Sequence, residues 1–322
     1  MTSCFWKISS TSSEYETTAI IVIERKVNDL TENDGKSEYL KHKVCMVTGA
    51  SSGIGKATAI GLANMGANVV LVCRNGPKAE AAVKEIASKT GNDQVSFLLC
   101  DLSLQDSIRS LAKEFENRYQ ALHILVNNAG TYRTRRTITE EGIETTFAVN
   151  YLAPFLLTNL LIEKLKASAP SRIVNVAGAY HRKATMNFND LMLENNYDGS
   201  RANNMSKLAL VLFTYELARK LDGTGVTANC LHPGAVATGL VEKDPDLPRL
   251  SRILYRIFSR FASSPEKGAA TSIYLAASPE VEGVTGKYFE KTSEKRSSDE
   301  SYDLGTAKRL WDVSLDLTNL KP

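Results

Sequence analysis

The stretch Val44-Cys45-Met46-Val47-Thr48-Gly49-Ala50-Ser51-Ser52-Gly53-Ile54-Gly55 decides the fold predicted for this chain. It begins as an apolar, β-branched run of strand length and continues through glycines and serines into a helical pattern over 56–63. A second strand pattern, Val69–Cys73, follows about twenty residues later, as a dinucleotide-binding βαβ unit requires. The glycine turn and the helix N-terminus therefore predict a phosphate site. A glycine turn without a ligand is the alternative.

Composition excludes several classes of function. Of the 322 residues, 43% are apolar and 23% are charged, which is typical of a globular protein. The net charge of +3 is too small to indicate nucleic acid or an anionic membrane as a partner. The cysteines form no C-x-x-C pair and the histidines show no metal-ligand spacing, which predicts a reducing compartment and no metal. These residues are Cys4, Cys45, Cys73, Cys100 and Cys230, and His42, His123, His181 and His232.

No run reaches the ~20 apolar residues that span a bilayer. The nearest one, 152–162, is interrupted by Pro154, Thr158 and Asn159. The N-terminus shows no basic-then-apolar signal pattern. We therefore expect a cytoplasmic protein without a membrane span. Residues 1–40 are rich in Ser, Thr and Glu and are predicted to be a poorly ordered extension.

Strand and helix patterns alternate along residues 41–322 without a linker. Near-continuous apolar strands between amphipathic helices predict one doubly wound α/β (Rossmann) domain, with helices on both faces of a seven-stranded, mainly parallel sheet. Residues 239–264 are interpreted as an insertion that covers a substrate crevice, or as a surface helix. The predicted strands are 44–48, 69–73, 95–100, 122–127, 171–176, 226–231 and 285–289, and the predicted helices are 54–66, 77–89, 104–118, 140–166, 203–221 and 265–277.

The end of the second strand indicates which dinucleotide binds. An NAD site usually has an acidic residue there, which accepts a hydrogen bond from the ribose 2′-OH. This chain has Cys73 followed by Arg74. A guanidinium without an acid suits a 2′-phosphate, so the sequence predicts NADP(H). A solvated loop arginine is the alternative.

Several motifs occur together in one order. The spacing Thr48-Gly49-x-x-x-Gly53-Ile54-Gly55, the run Asn127-Asn128-Ala129-Gly130 and the pair Pro233-Gly234 resemble the short-chain dehydrogenase/reductase family. Segments 146–150, 206–209 and 214–218 are similar to its retinol-dehydrogenase-like branch. The resemblance implies cofactor binding by Gly49, Ser51, Ser52, Gly53, Ile54, Gly55, Arg74, Asp101, Leu102, Asn128, Ala129, Gly130, Lys207, Pro233, Gly234, Val236 and Thr238. It also allows a homodimer through helices 140–166 and 203–221.

The catalytic residues that the resemblance implies are only half present. Lys207 and Asn150 match the family lysine and asparagine. Asn203 stands where the family has its proton-transferring tyrosine, and Gly178 stands where it has its substrate-binding serine. An amide cannot release a proton near neutral pH, and acid–base help is worth about 10²–10⁴ in rate.

Other polar residues lie near these two positions. Tyr180 and Tyr197 are the candidates for a substitute proton donor. The resemblance places Tyr180 in the substrate wall and Tyr197 outside the site. His181 and Lys183 are interpreted as a solvated rim.

The sequence therefore predicts an NADP(H)-dependent oxidoreductase of an apolar carbonyl or alcohol, with altered or slow catalysis. One alternative is an NADP(H)-binding protein without turnover that acts as a sensor or partner subunit. Another is an enzyme that uses the same pocket for a non-redox step.

Overall fold

The computed structural model of the chain describes residues 39–234, 236, 244–248 and 263–321. Its strands are β1 (Val44–Thr48), β2 (Asn68–Cys73), β3 (Val95–Leu99), β4 (Ile124–Asn127), β5 (Ser171–Val176), β6 (Val226–His232), β7 (Tyr288–Glu290) and β8 (Ser293–Lys295). Its helices are α1 (Gly53–Asn64), α2 (Gly76–Thr90), α3 (Gln105–Arg118), α4 (Thr145–Phe147), α5 (Ala153–Leu160), α6 (Ile162–Ala167), α7 (Gly199–Lys220), α8 (Pro265–Ala277) and α9 (Leu304–Leu317).

The strands form one sheet in the order β3-β2-β1-β4-β5-β6-β7-β8. Strands β1 to β7 are parallel, and β8 pairs antiparallel with β7. The predicted α/β doubly wound class is confirmed. The order reverses between β1 and β4, so the crevice opens at the carboxyl ends of these two strands.

The strand count differs from the predicted seven. Strand β8 is short, polar and exposed, so it carries no apolar pattern that would reveal it. Strand β7 begins three residues later than the predicted 285–289, because Gly286 takes a φ of 67° and belongs to the preceding turn.

The central strands β1, β2, β4 and β5 bury both faces, which explains their continuous apolar runs. In β1, Cys45 and Val47 face one core layer and Met46 faces the other. The first layer is covered by α1, α2 and α8. The second is covered by α3, α5 and α7, with α9 outside them. A parallel sheet needs this double cover, because water would otherwise reach its apolar faces.

The helix predicted over 140–166 is interrupted. Residues 140–144 form a turn in which Gly142 has a φ of 79°, and Glu144 then accepts a hydrogen bond from the Phe147 N–H at 2.8 Å and starts α4. A π-helical turn, Ala148–Leu152, follows before α5. The prediction missed these breaks because the apolar periodicity continues through them.

Helix α9 is absent from the predicted elements. Its Trp311 packs against Phe155 of α5 and Phe213 of α7, with ring centroids 5.1 and 5.8 Å apart. The Tyr151 hydroxyl lies 2.6 Å from Ser314 Oγ. The helix therefore covers the face formed by α5 and α7.

Two predicted segments lie largely outside the described residues. The predicted extension 1–40 lies outside them apart from its last two residues, and most of the predicted insertion 239–264 also lies outside them. Among the described helices, none has the length and apolar character that a bilayer crossing requires.

Candidate active site

A cleft of about 990 Å³ opens at the carboxyl ends of the strands. This volume is within the range of sites that hold cofactor-sized ligands. Every predicted site residue that the structure describes lines the cleft, except Asn150. Thr238 lies outside the described residues.

The glycine turn fits closely between β1 and β4. A Cβ on Gly55 would overlap the side-chain amide of Asn128, and Gly49 has a φ of 68°. Asn128 Nδ2 in turn donates to the Thr48 carbonyl at 2.8 Å, and the Asn128 and Ala129 N–H groups each donate to Thr48 Oγ1 at 3.0 Å. The two strand ends are thus held together, and the backbone is left open to an approaching ligand.

The start of α1 supplies the anion site in this cleft. The helix begins at Gly53, and Ser52 is its N-cap residue in extended backbone. Within the described part of the chain, no side chain caps these first N–H groups, and the first turn carries no acidic residue. The exposed N–H groups and the positive end of the helix dipole therefore suit a phosphate.

Arg74 lies at the outer rim of the cleft, where β2 ends. Its side chain is 72% exposed, and Nη1 lies 3.9 Å from Asp101 Oδ2. The other carboxylate oxygen of Asp101 accepts hydrogen bonds from the Ser103 N–H at 2.9 Å and the Ser103 hydroxyl at 2.6 Å. Asp101 is therefore held by its own loop, while the guanidinium stays largely exposed at the cleft rim.

Lys207 projects from α7 into the inner end of the cleft. Its ammonium donates to the Val176 carbonyl at 3.0 Å. Loss of solvent lowers the pKa of Lys207 to about 8. The group is therefore a cation at neutral pH that loses its charge under mildly alkaline conditions.

Asn150 is buried behind the cleft wall. Its Oδ1 accepts from the Thr131 N–H at 2.7 Å, and its Nδ2 donates to the Thr131 carbonyl and to Ser206 Oγ, both at 3.1 Å. The side chain thus joins the loop after β4 to α7. In this arrangement Asn150 positions the wall and does not face the ligand space.

Gly178 and Asn203, which are predicted to stand where the family has its serine and tyrosine, both line the cleft. Gly178 follows β5 with a φ of 118°, and among the described residues, its two chain neighbours aside, no atom lies within 4 Å of where its Cβ would be. Asn203 lies on α7, one helical turn before Lys207. Neither side chain can supply a proton.

The two candidate tyrosines differ in position. Tyr180 lines the cleft and is 58% exposed. Tyr197 does not line it, and its hydroxyl lies 3.1 Å from Glu144 Oε1 and 3.2 Å from the Arg133 carbonyl. Burial and the nearby Glu144 raise the pKa of Tyr197. Its hydroxyl is thus engaged in the wall.

The interpretation of His181 as part of a solvated rim is wrong. The side chain is fully buried, its Nδ1 lies 2.7 Å from the Gly178 carbonyl, and its Nε2 accepts from the Ser298 N–H at 3.2 Å. Sequence reasoning could not find this, because the partner Ser298 lies far along the chain.

His232 is a cleft residue that sequence reasoning missed. It ends β6, and its Nδ1 is buried without a hydrogen-bond partner among the described residues. The sequence does offer one indication of its place in the cleft, because His232 directly precedes the predicted cofactor-binding pair Pro233-Gly234.

Comparisons with known proteins agree with this architecture. A family model described as short chain dehydrogenase matches residues 43–247. Retinol dehydrogenase 14 from Mus musculus is 42% identical over 298 residues, which is 89% of each protein. Retinol dehydrogenase 13 from Homo sapiens is 44% identical over 282 residues, or 87% of this chain and 85% of that protein.

Solved structures show the same fold. An uncharacterized protein from Mycobacterium paratuberculosis superposes with a TM-score of 0.70 at 28% identity, over 88% of this chain and 95% of that one. A short chain dehydrogenase from Escherichia coli CFT073 complexed with NADPH gives 0.64 at 23% identity, over 80% and 100%.

Proposed function

Since the chain belongs to the short-chain dehydrogenase/reductase family, we propose that it is an NADP(H)-dependent oxidoreductase of an apolar alcohol and carbonyl pair, with altered proton transfer. The observation that carries the proposal is the cleft at the ends of β1 and β4, in which Gly55 leaves no room for a side chain. When bound, the nicotinamide supplies the hydride chemistry.

Different residues of the cleft bind different parts of the dinucleotide. The first turn of α1 binds the pyrophosphate, and the glycine turn lets it approach the backbone. Arg74 favours NADP(H), because its guanidinium can pair with a 2′-phosphate and Cys73 supplies no competing acid. The Escherichia coli protein, which has the same fold and is complexed with NADPH, is an example of this fold holding the phosphorylated dinucleotide.

The substrate class follows from the relatives and from the inner wall. Relatives named retinol dehydrogenases support an apolar alcohol or aldehyde as the substrate. Ala177 and Val176 line this end of the cleft. Lys207 brings a positive charge to it, which favours a substrate oxygen that gains negative charge.

Proton transfer is the step of the proposed reaction that we expect to differ from the usual one in the family. Gly178 offers no side-chain donor, and the amide of Asn203 cannot exchange a proton near neutral pH. Acid–base help is worth about 10²–10⁴ in rate. We therefore expect turnover at least about a hundredfold below the median enzyme value of roughly 10 s⁻¹ unless another group replaces the phenol.

A nicotinamide-fluorescence titration, followed by turnover on a panel of apolar aldehydes and alcohols, tests the proposal. We expect NADPH to bind and the panel to turn over slowly. Gly55→Leu is the control, because its side chain would overlap the Asn128 amide and the Gly49 backbone, displace the glycine turn and so abolish binding. Wild-type protein that binds no dinucleotide would contradict the proposal.

A second candidate function is a binding protein without turnover, such as a sensor or partner subunit. The absence of a hydroxyl at both Gly178 and Asn203 favours it. The same two measurements separate the candidates, because this one requires tight NADPH binding and no product from any member of the panel.

A further inference from the structure

The imidazole of His232 lies in the cleft wall, and no bond from Nδ1 to a described residue explains its position there. His232 lines the inner end of the cleft, together with Gly178, Lys207 and Asn203. Its Nδ1 is buried and has no partner among the described residues. A buried polar atom left unpaired costs about 1–3 kcal/mol, so such an atom in a native fold calls for an explanation.

The neighbouring His181 shows what a structural histidine looks like here. Gly178 and Ser298 engage its two ring nitrogens. These bonds fix one neutral tautomer, with the proton on Nδ1 facing the carbonyl. The Nδ1 atom of His232 has no such partner among the described residues, so it can take up a proton without breaking a bond to any of them.

Charged groups surround the His232 ring. Glu290 is its cross-strand neighbour on β7, and the Glu290 carboxylate accepts from Arg182 at 2.6 Å and from the Tyr288 hydroxyl at 3.0 Å. Burial lowers the pKa of His232 from its ordinary value; Glu290 opposes this shift and Arg182 adds to it. Burial thus favours the neutral ring, which is the form that can accept a proton. The titratable groups facing this region are Glu290 and Tyr288 from β7, Tyr180, His181 and Arg182 from the turn after β5, and Lys207 from α7.

We propose that His232 exchanges the proton of the substrate oxygen, in the place of the phenol that position 203 lacks. The inference rests on the proposed oxidoreductase function. In alcohol oxidation, the O–H bond breaks and its proton goes to the neutral imidazole. The carbinol C–H bond breaks as hydride, which carries two electrons to the oxidised dinucleotide, and a C=O bond forms. The imidazolium then releases its proton to water in the cleft, and reduction reverses these steps.

The first test compares His232→Gln with the wild type. The glutamine amide keeps hydrogen bonding but cannot exchange a proton. We expect alcohol oxidation to fall by about a hundredfold or more, while NADPH affinity stays within about twofold. Wild-type oxidation should decline as the pH falls through the lowered pKa of His232 and the base is protonated, and this decline should disappear in the variant. Lys183→Gln, an exposed change in the turn after β5, is the control.

A rescue experiment separates proton transfer from packing. His232→Ala leaves space at the ring position, so free imidazole in the buffer should restore part of its activity and should not affect His232→Gln. Unchanged oxidation and an unchanged pH profile in His232→Gln would overturn the proposal.

The second test uses the dinucleotide-free protein and needs no turnover. In ¹⁵N imidazole spectra, assigned by the signal lost in His232→Gln, the His232 ring should titrate at a lower pH than an ordinary imidazole, because burial lowers its pKa. It should also shift when 1-octanol is added, whereas His181 should not respond. A His232 ring that does not respond to the alcohol overturns the proposal. If NADPH binds and no panel member turns over, the proposed redox function fails, and the ring spectra decide the role of His232 separately.

Discussion

At the scale of single residues, Gly178 has two relevant properties, and only one of them could be predicted from the sequence. Its lack of a side chain is visible in the sequence, but its φ of 118° is not. The conformation depends on distant partners, because the Gly178 N–H donates to the Leu231 carbonyl at 3.1 Å and its own carbonyl faces His181. Restoring a serine there is therefore more than the addition of a hydroxyl.

A hydroxyl introduced at position 178 and one introduced at position 203 should have different effects on stability. Gly178→Ser has room for its Cβ but must adopt a backbone conformation that costs about 1–3 kcal/mol. Asn203→Tyr lies on a regular helix, so we expect it to raise carbonyl reduction without that loss of stability. Denaturant unfolding and NADPH consumption measure the two effects. A Gly178→Ser variant as stable as the wild type would contradict the strain argument.

Arg74 should set the choice between the two dinucleotides. Arg74→Ala removes a charge-assisted contact to a 2′-phosphate, so we expect about a tenfold loss of NADPH affinity and unchanged NADH affinity. Fluorescence titration with both cofactors measures this. Lys84→Ala, an exposed change on α2, is the control. Equal wild-type affinities for NADPH and NADH would refute the role of Arg74.

Lys207 predicts a pH dependence of binding. Its pKa is lowered to about 8, so the ammonium is present at neutral pH and is lost as the pH rises through that value. We expect NADPH affinity to fall several-fold between about pH 7 and about pH 9, because an attraction to the anionic cofactor disappears. Lys207→Met should bind NADPH weakly, with an affinity that does not change over this pH range. A flat wild-type titration would be the contrary result.

At the scale of elements, the π-helical turn Ala148–Leu152 is a break in a helix that the apolar periodicity of the sequence does not reveal. The apolar pattern predicted one helix, yet the chain inserts an extra residue in the turn that carries Asn150. Such turns often occur at functional sites. Here the turn presents the Asn150 amide to Thr131 and Ser206, which belong to other elements and could not be paired from the sequence.

Asn150→Ala tests this connection. The change leaves the Thr131 N–H without its acceptor, so we expect a stability loss of about 1–3 kcal/mol. Hydrogen exchange should also become faster around Thr131. Asn159→Ala on α5 is the matched control, because its side chain bonds only within its own helix and alanine favours helix. Equal losses in the two variants would mean that Asn150 does not tie the loop.

At the scale of the whole molecule, the doubly wound class was predictable because each buried strand is a continuous apolar run. Strand β8 was not predictable, since its three residues are polar and exposed and carry no apolar pattern. Helix α9 was predictable in principle, because Ala307, Leu310 and Trp311 recur at helical spacing in the sequence. In the structure these residues and Ser314 form the buried face of the helix. The homodimer through α5 and α7 stays a prediction, and α9 covers part of that face.

Trp311 should account for much of what α9 contributes to stability. It is 9% exposed and lies between Phe155 and Phe213. Trp311→Ala should lower the free energy of unfolding by about 3–5 kcal/mol, because it leaves a large cavity. Denaturant unfolding measures this, with the exposed Lys308→Ala as the control. A loss below about 1 kcal/mol would show that α9 is only loosely attached.

The position of Trp311 gives the molecule a built-in optical probe. The chain has two tryptophans, and Trp311 is the one in the described part, against the helix that also carries Lys207 and Asn203. Reduced nicotinamide absorbs light in the range where indole emits. Quenching of the Trp311 emission by energy transfer would therefore report the arrival of a dinucleotide in an unlabelled protein, and a Trp6→Phe variant would leave Trp311 as the single tryptophan.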